Sequence, residues 1–298
     1  MDALTTITLQ NLPGFGRRTV HKIIDFISGK RLNSTQLEEL LKDAGQHGIK
    51  LDLPTIKDIE KAFEKAEQII ENSGKTGIKI SINGQEGFPA SLRCIPDPPV
   101  VLYISGNCSI LHEVKAAAVI GMRRPTRFGR ELSAWFGERL AEAGYIVVSG
   151  LASGCDTAGH EGCLKAHGLT AAVVASGPDI IYPGANKDLA DRIIESGGCI
   201  FSEYSPGENP QKYYFIERDR LQSGLSKAVI LVETDAMGGA MHTARFCLEQ
   251  GKMLACVVPP KRYKNPGKQS GNIKLLEEGN AFPIATKEDF IKLIEIIS

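Results

Sequence analysis

Short apolar runs recur at 116–120, 145–148, 170–175, 199–202, 228–232 and 253–258, with helix-length segments between most of them. Within each run the apolar residues are consecutive rather than alternating, so both faces of each strand are expected to be buried. A parallel sheet covered by helices on both sides meets that demand at these connection lengths, and right-handed crossovers make it doubly wound. The expected fold is therefore α/β, with a mostly parallel Rossmann-like sheet.

The turns that follow these runs carry the chemistry. The densest is Gly121-Met122-Arg123-Arg124-Pro125-Thr126-Arg127-Phe128-Gly129-Arg130, directly after the first run. A buried strand that ends in glycine and opens onto arginines puts positive charge and free backbone N–H groups at the sheet's carboxyl edge. Open α/β sheets bind their ligands there, and this lining suits phosphate. After the second run comes Ser149-Gly150-Leu151-Ala152-Ser153-Gly154-Cys155-Asp156-Thr157-Ala158-Gly159-His160. Its glycines and small hydroxyls let backbone approach a phosphate, and Asp156 is placed to cap the next helix. Cys155 as a nucleophile with His160 as its base is the weaker reading, because nothing marks an acyl substrate or an oxyanion hole.

Ser176-Gly177-Pro178-Asp179 and Tyr182-Pro183-Gly184-Ala185-Asn186 read as a stiff loop before a helix that starts near Asn186. Gln211-Lys212-Tyr213-Tyr214-Phe215-Ile216-Glu217-Arg218-Asp219-Arg220 interleaves aromatics with cations, the composition that stacks bases and holds a phosphate backbone. After the fifth run, Glu233 is followed by Met237-Gly238-Gly239-Ala240-Met241-His242-Thr243-Ala244-Arg245, a second candidate anion cradle at a helix start. Gly-x-Gly-x-x-Gly does not follow the first strand and a Walker lysine loop is absent, which argues against a conventional NAD enzyme or ATPase.

Residues 1–74 form a different unit, with apolar positions at helical spacing over 19–27, 34–44 and 55–72. Ser34 and Thr55 are the expected helix starts. The stretch 72–77 breaks the pattern and marks a boundary, which divides the chain into an amino-terminal helical domain (1–74) and an extended Rossmann-like domain (75–298). In the second domain 78–82 and 100–104 read as strands before the parallel series. Leu12-Pro13-Gly14-Phe15-Gly16-Arg17-Arg18-Thr19 resembles the hairpin of a helix-hairpin-helix element, whose glycines expose N–H groups to DNA phosphates.

Composition narrows the classes. Lysine plus arginine equals aspartate plus glutamate at 35 each over 298 residues, so a polyanion binder must gather its charge locally. The 7 cysteines include no CxxC pair, and with the 6 scattered histidines they give no zinc spacing, so no metal or cofactor is expected. Reduced thiols, the missing signal pattern and the lack of a membrane-length apolar run lead to the expectation of a soluble cytoplasmic protein.

Taken together, these segments resemble the DNA-processing protein A family (DprA, also called Smf). The resemblance rests on Phe88-Pro89-x-x-Leu92, Asp97-Pro98-Pro99-x-x-Leu102-Tyr103, Gly121-x-Arg123-x-x-Thr126 and Ser149-Gly150-Leu151-Ala152-x-Gly154-x-Asp156-x-x-x-His160. It continues through Tyr182-Pro183-x-x-Asn186, Ser202-Glu203, Phe215-x-x-Arg218-x-Arg220, Gly224-Leu225-Ser226 and Gly239-x-x-x-Thr243-Ala244, over roughly residues 80–280. The resemblance implies a non-enzymatic single-stranded-DNA binder that protects strands taken up in natural transformation, forms a homodimer and loads the RecA recombinase. The small amino-terminal domain would be SAM/helix-hairpin-helix-like. The resemblance makes Arg123 a main phosphate contact, with Lys212, Phe215 and Arg218 along the same pocket. Together with the turns read above, the expected DNA-binding set is Arg123, Arg124, Thr126, Arg127, Ser153, Gly154, Lys212, Phe215, Arg218, Arg220, Gly239 and Thr243.

Some positions depart from the family pattern. Asp219 stands where asparagine is usual, 238–242 replaces a serine-rich loop, and Pro259-Pro260 replaces Pro-Gly. A winged-helix module at the carboxyl terminus, which many members carry, is not expected. A second reading is a nucleotide sensor or a nucleoside-monophosphate phosphoribohydrolase-like enzyme, for which Glu233, Gly238-Gly239, Thr243 and Arg123 superficially suit. Against it, the Pro-Gly-Gly-x-Gly-Thr-x-x-Glu run of that family is missing. A third is a protein scaffold whose DNA pocket has decayed, favoured by Asp219 and opposed by the arginine turn.

Overall fold

The computed structural model describes residues 2–27, 32–112, 115–263 and 265–298. Four helices come first: α1 (Ala3–Gln10), α2 (Arg17–Ile27), α3 (Ser34–Gln46) and α4 (Ile56–Lys75). Helix α3 begins at the expected Ser34. Asn33 is the cap, in a reciprocal capping box with Gln36, while Thr55 caps α4 in the same manner with Asp58. Helix α1 lacks an evident apolar stripe because Thr5, Thr6 and Thr8 fill buried positions. Thr6 and Thr8 hydroxyls donate to the carbonyls of Asp2 and Leu4 at 3.0 and 2.8 Å, which makes threonine tolerable there. Residues 72–75 stay helical, because buried Ser73 donates to the Ile69 carbonyl at 2.7 Å; the chain turns at Thr76–Gly77.

Strands β1 (Lys79–Ile82) and β2 (Val101–Gly106) follow, with the one-turn helix α5 (Ala90–Arg93) between them. Then strands and helices alternate: β3 (Ala116–Ile120), α6 (Arg127–Glu142), β4 (Ile146–Ser149), α7 (Cys155–Lys165), β5 (Thr170–Val173), α8 (Lys187–Glu195) and β6 (Cys199–Ser202). The series ends with α9 (Lys212–Leu225), β7 (Ala228–Leu231), α10 (Ala240–Glu249), β8 (Met253–Val257), α11 (Pro266–Glu277), β9 (Phe282–Ile284) and α12 (Lys287–Ile297). The nine strands form one sheet in the order β1-β2-β6-β5-β4-β3-β7-β8-β9. The contacts of β2 with β1 and with β6 are antiparallel and the remaining pairs are parallel, so the mostly parallel, doubly wound expectation holds.

Alternate residues of each central strand feed different cores. Ala116, Ala118, Ile120, Val229 and Leu231 pack with Leu221 and Leu225 of α9, Ala244 and Cys247 of α10, and Leu92 of α5. Ala117, Val119, Ala228 and Ile230 face Phe136 and Leu140 of α6, Cys163 of α7 and Phe290 of α12. The winding runs from β3 outward to β6, then α9 carries the chain back across to β7 on the other flank of β3. This reversal between β3 and β7 is the topological switch point, where the loops at the carboxyl edge part and leave a crevice.

The helical unit packs on β1 and β2: Ile7, Val20, Leu41, Ile59 and Ile69 share a core with Ile82, Val101 and Tyr103. Its edge is fastened by charge. Arg220 of α9, 2 % exposed, meets Glu203 in a bidentate pair at 2.5 and 2.6 Å, and its Nε donates to the Asp97 carbonyl at 2.8 Å. Arg17, in the first turn of α2, reaches Asp97 at 2.7 Å and Glu217 at 3.3 Å. The α1–α2 hairpin, with Gly14 at φ +76°, therefore leans on the Rossmann-like unit through Arg17.

A buried, fork-to-fork arginine pair is costly to break, because the remaining carboxylate has no compensation. We expect Arg220→Ala to lower unfolding stability by about 3–5 kcal/mol in urea denaturation. A loss of no more than about 0.5 kcal/mol, typical of a surface residue, would contradict this role.

Candidate functional site

The crevice beside β3 is a cleft of about 400 Å³, within the size range of small-ligand sites. Its walls come from the loops after β3 and β7, the turn after β4, and one face of α9. The β3 and β7 loops are tied together below it. Buried Glu233 accepts from Thr126 N at 2.6 Å, Thr126 Oγ1 at 3.0 Å and Gln269 Nε2 at 2.9 Å, while its own carbonyl takes Met122 N at 2.8 Å. The β4 turn closes against the same loop. Gly154 has φ +90°, and a Cβ there would strike the Met122 and Arg123 carbonyls.

The floor is ionic. Arg218, 5 % exposed, donates Nη1 to the Val173 carbonyl at 3.2 Å, and Gly150 lies flat over its guanidinium, where any side chain would collide. Asp219 Oδ1 lies 3.3 Å from Arg218 Nε, and Asp156 Oδ2 accepts from Gly150 N at 3.2 Å and Ala152 N at 3.4 Å. One buried cation thus serves two carboxyls. Burial raises Asp156 above its ordinary range, although Arg218 draws it down. Asp219 is pushed up to about 7 by burial and by the neighbouring Asp156, against the attraction of Arg218. Gln222, one turn further along α9, donates Nε2 to Asp219 Oδ1 at 3.1 Å. Arg218 Nε and Gln222 Oε1 are buried without a hydrogen-bond partner.

The upper cleft is cationic and aromatic. Arg123 is exposed and lies over the Phe215 ring, 5.0 Å from its centroid. Phe215 and Arg123 also wall a smaller adjoining pocket with Gly150, Ser153, Tyr182 and Pro183, and the Tyr182 ring sits 5.6 Å from Phe215. Arg124 lines the main cleft, and its carbonyl accepts from Lys268 Nζ at 2.8 Å.

Arg123, Arg124, Phe215, Arg218, Gly239 and Thr243 therefore meet in the main cleft, with Ser153 in the pocket beside it and Gly154 shaping the wall. Others go elsewhere. Arg220 is two residues beyond Arg218, about 200° around the helix, and points into the Glu203–Asp97 network. Thr126 caps α6, accepting from Gly129 N at 3.0 Å while its hydroxyl donates to Glu233. Arg127 is exposed and pairs with Glu131 one turn on at 2.7 Å, outside the cleft lining. Lys212 is exposed in the first turn of α9, also outside the lining.

Asp156 does not cap α7, whose cap is Gly154; it sits inside the helix and braces the turn before it. Asn186 has a structural task, donating to the Leu151 carbonyl at 2.8 Å and Thr157 Oγ1 at 2.9 Å. Cys155 and His160 form no nucleophile–base pair: Cys155 is buried and pushed up to about 12, and His160, pushed down to about 3 by burial, contacts Thr170 at 2.6 Å. Thr243 is buried with its hydroxyl on Asp219, rather than presented to an anion. Tyr182 was read from sequence only as part of a stiff loop and a family motif, and Gln222 was not singled out; Gln222 follows Phe215 by seven residues, on the same face of α9.

The family model described as DNA recombination-mediator protein A matches residues 79–295. DNA processing protein DprA of Bacillus subtilis is 34 % identical over 235 residues, 79 % of this chain and 77 % of that protein. Protein Smf of Escherichia coli is 33 % identical over 210 residues, which span 55 % of its length. Among solved structures, DNA processing protein A from Streptococcus pneumoniae matches with TM-score 0.81 at 25 % identity, over 98 % of both chains. DNA processing protein A from Helicobacter pylori, described for its unique single-stranded DNA binding mode, matches with TM-score 0.65 at 30 % identity, over 74 % of this chain and 97 % of that one.

The shared-cation floor has a consequence for stability. A carboxyl whose folded-state pKa lies above its unfolded value favours folding while it holds its proton. That contribution is lost as pH rises from about 4 through about 7. Asp219→Asn cannot ionise, so its melting temperature should gain on the native chain's between pH 5 and pH 8. A difference that stays constant across this range in differential scanning fluorimetry would refute the raised carboxyl.

Proposed function

The chain belongs to the DNA recombination-mediator protein A family, and on that premise we propose that it binds single-stranded DNA in the cleft at the β3/β7 switch point. The observation that carries the reading is the exposed Arg123 laid over Phe215 at the mouth of that cleft. A cation for the backbone and a ring face for a base stand side by side, the pairing that holds single strands with little demand on sequence. Arg124 adds charge within the cleft, and Lys212 and Arg127 add exposed cations outside its lining. The description of the H. pylori relative supports the same ligand.

Within this reading the protein protects strands taken up in transformation and hands them to the RecA recombinase, acting as a homodimer in the cytoplasm. No helix among the described residues is long and apolar enough to cross a membrane. We further propose that residues 1–74 and 75–298 are its two domains, the first held against the second by Arg17. The enzymatic alternative draws on Glu233, but that carboxylate is buried beneath the loops and taken up by Thr126 and Gln269. The burial of Glu233 and its hydrogen bonds to Thr126 and Gln269 favour the mediator reading over the hydrolase.

Fluorescence anisotropy of labelled oligo-dT and a matching duplex, titrated across salt, tests the proposal. We expect preferential binding of the single strand, weakening as salt rises because lysines and arginines release counterions. Arg123→Ala should reduce single-strand affinity by roughly tenfold or more, since it removes both a phosphate contact and the partner of Phe215. Lys212→Ala should lower the salt slope by about 1. Unchanged affinity in Arg123→Ala at moderate salt would refute the cleft as the binding site.

A further inference from the structure

Phosphate chemistry accounts for the mouth of the cleft but not for its floor. A phosphate accepts hydrogen bonds and needs donors around it. The floor instead offers acceptors: the Asp219 carboxyl, and Gln222 Oε1, which is buried in a residue only 2 % exposed and has no partner. The orientation of the Gln222 amide follows from its neighbour, because Nε2 donates to Asp219 Oδ1 at 3.1 Å and turns Oε1 away from the carboxylate. Arg218 Nε is the matching exception, a buried donor that is ion-paired at 3.3 Å with the same carboxylate oxygen but makes no hydrogen bond. A buried polar atom left unpaired is unfavourable, so a ligand that satisfies it gains affinity and selectivity together.

Resting on the single-strand reading, we propose that the floor formed by Arg218, Asp219 and Gln222 reads the Watson–Crick edge of one nucleobase and prefers guanine. The base enters beside the Phe215 ring while its phosphates stay at Arg123 and Arg124. Guanine presents two neighbouring donors, N1–H and the 2-amino group, to Asp219 and Gln222 Oε1, and its O6 is an acceptor for Arg218 Nε. A carboxylate offers about four lone-pair sites, so it can take such a donor beyond those that Gln222 and Thr243 use. Thymine brings one N–H between two carbonyl oxygens, which would face the acceptors. Cytosine and adenine each bring an amino group next to a bare ring nitrogen. Asp219, where the family pattern usually has asparagine, makes this floor more acceptor-rich than an amide would.

The test is competition binding to the full chain by oligo-dT strands that carry one central guanine, inosine, adenine or cytosine, with plain oligo-dT as reference. We expect the guanine strand to bind about tenfold more tightly than oligo-dT, the worth of one or two good hydrogen bonds. Inosine, which lacks the 2-amino group, should forfeit much of that advantage. In Asp219→Asn the ratio of guanine-strand to oligo-dT affinity should fall towards one, whatever happens to either affinity alone. Tight binding of all strands with equal affinity, or a preference for another base, would overturn the base-reading floor and leave the single-strand reading standing. Failure of every strand to bind would overturn both.

Discussion

The buried guanidinium of Arg218 is the interaction on which the site depends. It sits at the carboxyl edge of the sheet, hydrogen-bonded to the end of β5, with Asp156 from α7 and Asp219 from its own helix as the nearby carboxyls. The turn after β4 must be glycine at 150 to pass over it, and Asp156 gathers the N–H groups of that turn. Removal of the arginine would leave two buried carboxyls facing each other, so the β4 turn, the entry of α7 and the face of α9 all rest on one cation. The charge that shapes the cleft is thus largely neutralised in place. The charge offered outward belongs to Arg123 and Arg124 at the rim.

Helix α9 carries two jobs on two faces. Phe215, Arg218, Asp219 and Gln222 follow the helical period into the cleft, while Glu217 and Arg220 turn to Arg17, Asp97 and Glu203. The element that floors the cleft is therefore also the one that the helical unit grips. Contacts with the helical unit and the floor of the cleft thus lie on two faces of one helix.

Much of the fold was legible because a parallel sheet buried on both faces leaves consecutive apolar residues in the sequence, and the glycine turns mark each carboxyl end. Strand β9 and helix α1 are among the elements that escaped that signal. Strand β9 is a three-residue piece with Pro283 at its centre, too short to show a period, and α1 hides its helical stripe behind buried threonines. At the site, Arg123, Phe215 and Arg218 were legible as types that suit a polyanion. The partners of Thr126, Arg220 and Thr243 were not legible, since Glu233, Glu203 and Asp219 come from distant segments. Linear proximity put Arg218 and Arg220 in one set, and the helical period separates them. The same period, applied from Phe215 onward, points to Gln222.

The central claim is that a single strand lies across the cleft above Arg218, against the ring of Phe215. Photocross-linking with an oligonucleotide carrying 5-iodouracil at one position, followed by mass spectrometry of the tryptic adducts, locates the strand directly. Adducts are expected on the peptides that hold Phe215 and Tyr182, whose rings stand at the cleft mouth and the adjoining pocket. Adducts confined to the α1–α2 hairpin or to α12, with none at Phe215 or Tyr182, would contradict it.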